Sequence, residues 1–565
     1  MGWGAGRAWG GGAGGVVAGV RGRSPVTAGM SPITEKKRIT NIAREMAVLQ
    51  NLQQLLQELD FSKLSEYPFL VSLFLIPVLL WFTHSKLSSG QIKHLPPSPT
   101  KLPFLGHLHL LGTHPHRSLR ALSDVYGPLM ILHLGRVPTL VVSSAEILGE
   151  ITTAHDAIFS NRPRTTANDI LTYGRKDVGF APYDEYWKQA RKICVFELLS
   201  LRRVQQFQSL REEETAYLVD RIHKASETSG ATCSINLTEF LIETTNNILS
   251  RCAVGQTFGE KDGWGKFGGL LRVVTVQLMA LCVGDFFPYL KWIDHLRGFI
   301  GSLKATFRAL NRCFDLLIDE RKAILQSDGE RNSEKKNFVD ILLQLEKDAK
   351  LSPDEIKGII LDMFLAGTTT TSGTLEWMMT ELLRNPNVMK KAQEEVRKVV
   401  GKRQKIDMND INQMGYLKCV IKETLRLYPP APLLVRETTK TIEIKGYRIP
   451  SKTRVLCNAW AIQRHPSSWD RPEDFFPERF EDNLTGFEGE DFNLTPFGVG
   501  RRSCPGSKFA IASIEYIAAN LVYWFDWKLP SGHGAFHEEL DMNEVYGLTV
   551  HRKVPLHLIP TPYSP

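Results

Sequence analysis

Between Phe497 and Gly506 the chain reads Phe-Gly-Val-Gly-Arg-Arg-Ser-Cys-Pro-Gly, a spacing of the form F-x-x-G-x-R-x-C-x-G. Gly498 and Gly500 permit a tight turn with backbone N–H groups directed at a sulfur. The apolar run Lys508 to Trp524 predicts a helix that starts just after Cys504, and its N-terminal dipole favours a thiolate there. A cysteine presented in this way suits axial ligation of haem iron. Thiolate ligation pushes electron density onto the metal and favours O–O cleavage. The plainer fate of a lone cysteine is a buried structural thiol.

Other stretches could serve such a site. Ser352-Pro353-Asp354-Glu355 is a helix start, with Ser as cap, Pro first and Glu third. The helix it opens could continue to Arg384, before Asn385-Pro386. Inside it lies Ala366-Gly367-Thr368-Thr369-Thr370-Thr371, a poor local choice for a helix. Such violations are expected at functional sites. Gly367 would leave room for a ligand, and the Thr370 hydroxyl could bond the Ala366 carbonyl and open the helix. Glu423 and Arg426 sit at i and i+3 on an amphipathic helix ending near Tyr428-Pro429-Pro430, where they can pair. Short β-rich runs, Met130-Ile131-Leu132 and Thr139-Leu140-Val141-Val142, predict a small sheet.

Taken together, these residues resemble the cytochrome P-450 superfamily, over about four-fifths of the chain from Leu95 onward. Details such as Phe180-Ala181-Pro182-Tyr183, Leu375-Glu376-Trp377 and Val545-Tyr546-Gly547-Leu548-Thr549 resemble a plant A-type microsomal member. The resemblance implies a mainly α haem-thiolate fold with a minor β region, haem b, and Cys504 as the iron ligand in a loop that includes Phe497 and Gly506. Trp187-Lys188-Gln189-Ala190-Arg191 is similar to the family's W-x-x-x-R, so Trp187 and Arg191 are expected on a haem propionate, with Arg436 and Arg502 beside them. Glu423, Arg426 and Arg479 resemble the family's structural Glu-Arg-Arg triad. The central helix departs from the pattern. The family's acid is replaced by Thr369, which puts carboxylate-mediated proton relay in doubt and leaves Thr370 to order water.

The resemblance implies a mono-oxygenase that takes O₂ and NADPH electrons through a cytochrome P-450 reductase and oxidises a small apolar plant metabolite. Terpenoids, phenylpropanoids and amino-acid-derived compounds are the expected classes. Two alternatives are a reductase-independent haem-thiolate isomerase or dehydratase, and a non-catalytic haem-binding membrane protein. The pocket is expected to be lined by Asn168–Asp177, parts of Val273–Phe287, Phe364–Thr370, Pro432–Val435 and Tyr546–Leu548.

Composition sets the frame. The chain has 565 residues, 43% hydrophobic and 23% charged, with a formal charge of +8. The charge is spread out and has no basic-aromatic interleaving, so nucleic acid is not the expected partner. Eight cysteines without a CxxC pair read as reduced cytosolic thiols. Residues 1–45 form a glycine-rich, arginine-bearing extension, either transit-like or upstream of a start at Met46. Residues 46–66 precede an apolar run at 67–83, a predicted transmembrane anchor. Lys86, Lys93 and Lys101 after that run, against Lys63 alone before it, place the bulk in the cytosol. The expected location is thus the endoplasmic-reticulum membrane. Residues 84–106 are a proline-rich hinge, expected to act as a stiff spacer, and 107–562 the catalytic domain.

Overall fold

The computed structural model describes residues 94–228, 234–257, 265–327, 336–348, 350–482, 487, 491–530 and 540–564. All fall in one compact unit, Gly90–Pro565. The segments 1–45, 46–66 and 67–83, and the hinge before residue 94, lie outside the described residues, as does most of the predicted loop at 327–337.

The four-stranded sheet contains β1 (Leu129–Leu134), β2 (Val137–Val142), β3 (Leu433–Glu437) and β4 (Arg454–Asn458), in the order β1-β2-β4-β3. The β1–β2 and β3–β4 pairs are antiparallel and β2–β4 is parallel. Both runs predicted from the sequence are in it. β-Branched and leucine side chains at Ile131, Leu140 and Val455 bury the sheet against its covering helices.

Helices make the rest of the body. Those that position the site are α1 (Glu185–Ile193), α2 (Leu237–Val254), α3 (Pro353–Gly367), α4 (Thr369–Arg384), α5 (Gly415–Leu427) and α6 (Ser507–Trp524). The Asp184 side chain caps α1 by accepting the Trp187 N–H at 2.8 Å. The start of α3 matches its signature, with Glu355 accepting the Ser352 N–H at 2.9 Å. α3 and α4 are the single helix predicted over 352–384, interrupted at Thr368 (φ −84°, ψ −64°). α2 packs along both halves, and α6 packs on α4 and α5.

Two expectations are corrected. From His94 onward the proline-rich segment is bonded to the body and is not a free spacer. The Pro97 carbonyl accepts the Ile131 N–H at 3.0 Å and the His94 carbonyl accepts the Arg448 N–H at 2.7 Å, with Pro96 and Pro99 buried. Proline has no N–H to donate, but its carbonyl still satisfies the edge of β1. Gly367 makes room for a helix and not for a ligand. A Cβ there would lie 2.9 Å from a Leu249 methyl on α2.

Candidate haem-thiolate site

Cys504 sits at the end of a loop that folds as its glycines require. Gly498 and Gly500 have φ of +70° and +63°, and a Cβ on Gly500 would meet Asp156 and Thr152 at 2.7 Å. The Cys504 N–H donates to the Phe497 carbonyl at 2.8 Å, and the Phe497 ring packs edge-on against Phe487. The backbone N–H aimed at the sulfur comes from Gly506, just before α6. Burial raises the thiol's pKa, while the Gly506 N–H and the Arg191 guanidinium pull it back. Yet the Cys504 side chain is exposed.

The same signature marks the central helix. α3 and α4 are buried over most of their length, but Ala366 and Thr369 are exposed and Gly367 and Thr370 are half-buried where the helix breaks. The Thr370 hydroxyl donates to the Ala366 carbonyl, the back-bond expected from the sequence. Thr369, in the place of the family's acid, has its hydroxyl 3.4 Å from that of Thr549, next to the predicted lining residues Tyr546–Leu548.

Four guanidiniums gather near the cysteine loop. Arg191 donates to the Ser503 carbonyl (2.7 Å) and hydroxyl (3.0 Å). Arg436 pairs with Asp156 at 2.9 Å and also bonds the Val499 carbonyl. Arg502 directs its three nitrogens at the carbonyls of Ser160 (2.6 Å), Val178 (3.1 Å) and Ala181 (2.6 Å). Arg162, which the sequence reading missed, bonds the carbonyls of Gly179 (2.9 Å) and Val435. It stands alone before Pro163, outside any motif. Asp156, which accepts from both Arg436 and the Arg501 N–H, was missed for the same reason.

These contacts bear on the roles expected of Trp187 and Arg502. The one N–H of Trp187 is spent on the Val178 carbonyl at 3.0 Å, so the indole has no donor left for a propionate. Its ring instead lies under the Arg502 guanidinium, 4.1 Å from ring centroid to carbon. Arg502 likewise spends three of its five N–H groups on backbone carbonyls. Arg191 and Arg436 each keep unspent N–H groups.

Charge balance tests whether the site fits haem. Burial and then repulsion from neighbouring arginines push Arg502 down to about 8 and Arg162 down to about 10. A guanidinium remains charged all the same, so the fold carries a local excess of buried positive charge beside an accessible thiol. A flat, apolar group bearing two carboxylates answers both features. The residues fit haem.

Glu423 and Arg426 form a fully buried two-point pair (2.7 and 2.8 Å), and Arg479 reaches Glu423 at 3.0 Å. Arg426 also bonds the carbonyls of Gln463, Pro472 and Asp474, and Gln463 in turn accepts the Thr495 N–H at 2.8 Å. The cluster thereby ties α5 to the chain entering the cysteine loop. Removing one member would strand a buried charge, at a cost of about 3–5 kcal/mol.

A mostly helical body with a small sheet, a cysteine loop opening α6 and a broken central helix define a haem-thiolate protein. The Cytochrome P450 family profile matches residues 96–551, and the chain belongs to that family. It is 51% identical over 532 residues to a phenylacetaldehyde oxime monooxygenase from Prunus mume, covering 92% of this chain and 100% of that one. It is 42% identical to a strychnine-11-hydroxylase from Strychnos nux-vomica, covering 89% and 98% of the two chains. A zebrafish cytochrome P450 solved with abiraterone has the same fold, with TM-score 0.66 and 24% identity, over 80% of this chain and 100% of that one. The chain is accordingly a plant A-type haem-thiolate mono-oxygenase of specialised metabolism, using O₂, a redox-partner reductase and an apolar substrate. Mono-oxygenation prevails over the isomerase and non-catalytic alternatives.

Proposed function

We propose that the chain hydroxylates or otherwise oxidises a small apolar plant metabolite at the endoplasmic-reticulum surface, with electrons from NADPH-cytochrome P-450 reductase. The observation that carries this reading is the Cys504 thiol, deep in the protein yet accessible. Haem, held there by the Cys504 thiolate, supplies O₂ activation. Arg191 and Arg436 hold its propionates through their unspent N–H groups, and Arg502 and Trp187 brace the loop behind them. Thr370 holds the helix open at Ala366 and orders water, and the Thr369 hydroxyl passes protons toward it. The Glu423–Arg426–Arg479 cluster keeps the cysteine loop in place.

Surface chemistry supports a membrane location. Leu281, Tyr289 (83% exposed), Trp292 and Leu296 (77% exposed) form an apolar surface beside Phe286. The β1–β2 turn joins it to exposed Phe104 and Leu105: the Gly135 N–H donates to Leu105 and the Arg136 N–H to Phe286. Phe267–Phe286 has mean hydropathy 1.7 and is only 28% buried. It is divided between helices Gly265–Met279 and Val283–Phe286, which suits lying on a bilayer better than crossing one. The anchor expected at 67–83 lies outside the described residues.

The test is reconstitution of the microsomal protein with reductase and NADPH. Substrates come from a metabolite library screened by Soret shifts, beginning with phenylacetaldehyde oxime because of the 51% relative. Product that requires NADPH, reductase and O₂ together is the expected result. Turnover without reductase would overturn the reading.

A further inference from the structure

Side chains hold most of the backbone polar groups of the segment Asp177–Ala181. On the donor side, Asp362 of α3 accepts the N–H groups of Val178 (2.6 Å) and Gly179 (3.1 Å) on a single oxygen. Asp177 accepts the N–H of Phe180 at 2.8 Å. On the acceptor side, Val178 takes Trp187 and Arg502, Gly179 takes Arg162, Phe180 takes Arg175, and Ala181 takes Arg502 again. The segment rides directly on α3. A Cβ on Gly358, one turn before Asp362, would lie 1.9 Å from the Lys176 carbonyl, so only glycine allows this approach.

Arg502 stands two residues before Cys504. Its grip on the Val178 and Ala181 carbonyls orients the cysteine loop only if those carbonyls are themselves fixed. Asp362 bonds the Val178–Gly179 backbone directly to the central helix, and the Lys176–Glu355 pair (2.9 Å) ties the residue just before the segment to the same helix. Burial, and for Asp362 the neighbouring Asp177, hold both carboxyls above the usual carboxylate range.

We propose that Asp362 is a positioning residue for the haem-thiolate loop, acting from the central helix through the Val178–Gly179 backbone onto Arg502 and so onto Cys504. This rests on Cys504 as the haem ligand. It adds a residue that acts through another side chain and not from the cysteine loop itself.

The experiment uses haem-loaded Asp362→Ala, Asp362→Asn, Arg502→Lys and the Asp362→Ala/Arg502→Lys double variant. Two quantities are read: the fraction of thiolate-type Soret band in the reduced carbonyl complex, and the rate of haem loss to a scavenger protein. Loss of a residue that orients a ligand costs roughly 10–100-fold in binding of the bound group. Asp362→Ala is expected to lose haem roughly 10-fold faster and to lose thiolate-type band. Asp362→Asn keeps an acceptor oxygen and should restore both. Arg502→Lys should mimic Asp362→Ala, and the double variant should be no worse than the worse single one, because both break one chain of contacts. Fully additive effects, or failure of Asn to rescue, would overturn the proposal. So would a folded Asp362→Ala with wild-type haem loss and spectrum. If Asp362→Ala yields no folded protein, Asp362→Ser, with a shorter acceptor, is read by the same criteria. A wild-type spectrum in Arg502→Lys would instead remove the link between Arg502 and the cysteine loop, and a thiolate-type band in Cys504→Ser would remove the haem-ligand reading itself.

Discussion

Thr369 is the position at which this chain asks the most of its neighbours. Heterolytic O–O cleavage needs protons delivered at a defined point, and a hydroxyl relays a proton without storing one. Thr370 has its own hydrogen committed to the Ala366 carbonyl, so it shapes a water site more than it donates. Thr369, 3.4 Å from the Thr549 hydroxyl, supplies the second polar contact. Thr370→Ala is therefore expected to divert electrons into hydrogen peroxide, lowering product per NADPH, whereas Thr369→Asp preserves or raises that ratio. Measuring product and peroxide per NADPH for both variants decides it. A fully coupled Thr370→Ala would remove the role assigned to this turn. The Thr370 back-bond and the Glu423–Arg426 pair were legible because each depends on residues three or four apart on one helix. The Arg502 contacts were not. They depend on carbonyls some 320 to 340 residues away, which no local spacing encodes.

Elements that converge on the site bring their own chemistry. The strand residue Glu544 precedes Tyr546–Leu548 and is held by His116 Nε2 (2.9 Å) and Arg117 (2.6 Å) from the helix Pro115–Tyr126. Burial opposes its ionisation, but the His116 hydrogen bond and the Arg117 charge outweigh burial and bring its pKa down to about 2. Burial lowers His116 below its ordinary value, against the Glu544 hydrogen bond that raises it. A carboxyl depressed by folding contributes stability above its ordinary pKa, lost as pH falls toward the folded value. A depressed histidine acts in the same direction below its own ordinary value, since only the unfolded chain takes up the proton. Glu544→Gln should cost on the order of 3 kcal/mol at neutral pH, and its gap from wild type should close as pH falls from about 4.5 toward about 2. Thermal melts across that range check it, and a gap independent of pH would count against the pairing. Neither these two elements nor this bond, which joins residues 428 apart, was read from the sequence. The break at Thr368 was foreseeable from its threonines. The reason for Gly367 was not, because Leu249 arrives from another helix.

For the whole molecule, the family pattern carried the fold class and the cysteine loop, while the course of the chain over the sheet edge at His94–Pro99 emerged only from tertiary bonds. Orientation has a chemical reporter. Asn236-Leu237-Thr238, Asn483-Leu484-Thr485 and Asn493-Leu494-Thr495 match the glycosylation pattern. With a cytosolic body all three should stay unmodified. The Asn236 side chain caps α2 and the Asn493 side chain donates to Asp491 at 2.9 Å, so the three are read together. A glycosidase-sensitive gel shift of microsomal protein would reverse the topology. One sulfur decides the chemistry of the whole molecule. Electron donation from a thiolate red-shifts the Soret band of the reduced carbonyl complex, and a hydroxyl cannot replace it. The decisive measurement is that spectrum for Cys504→Ser beside wild type: the red-shifted band is predicted in wild type and absent in the variant, and a thiolate-type band surviving in Cys504→Ser would contradict the account.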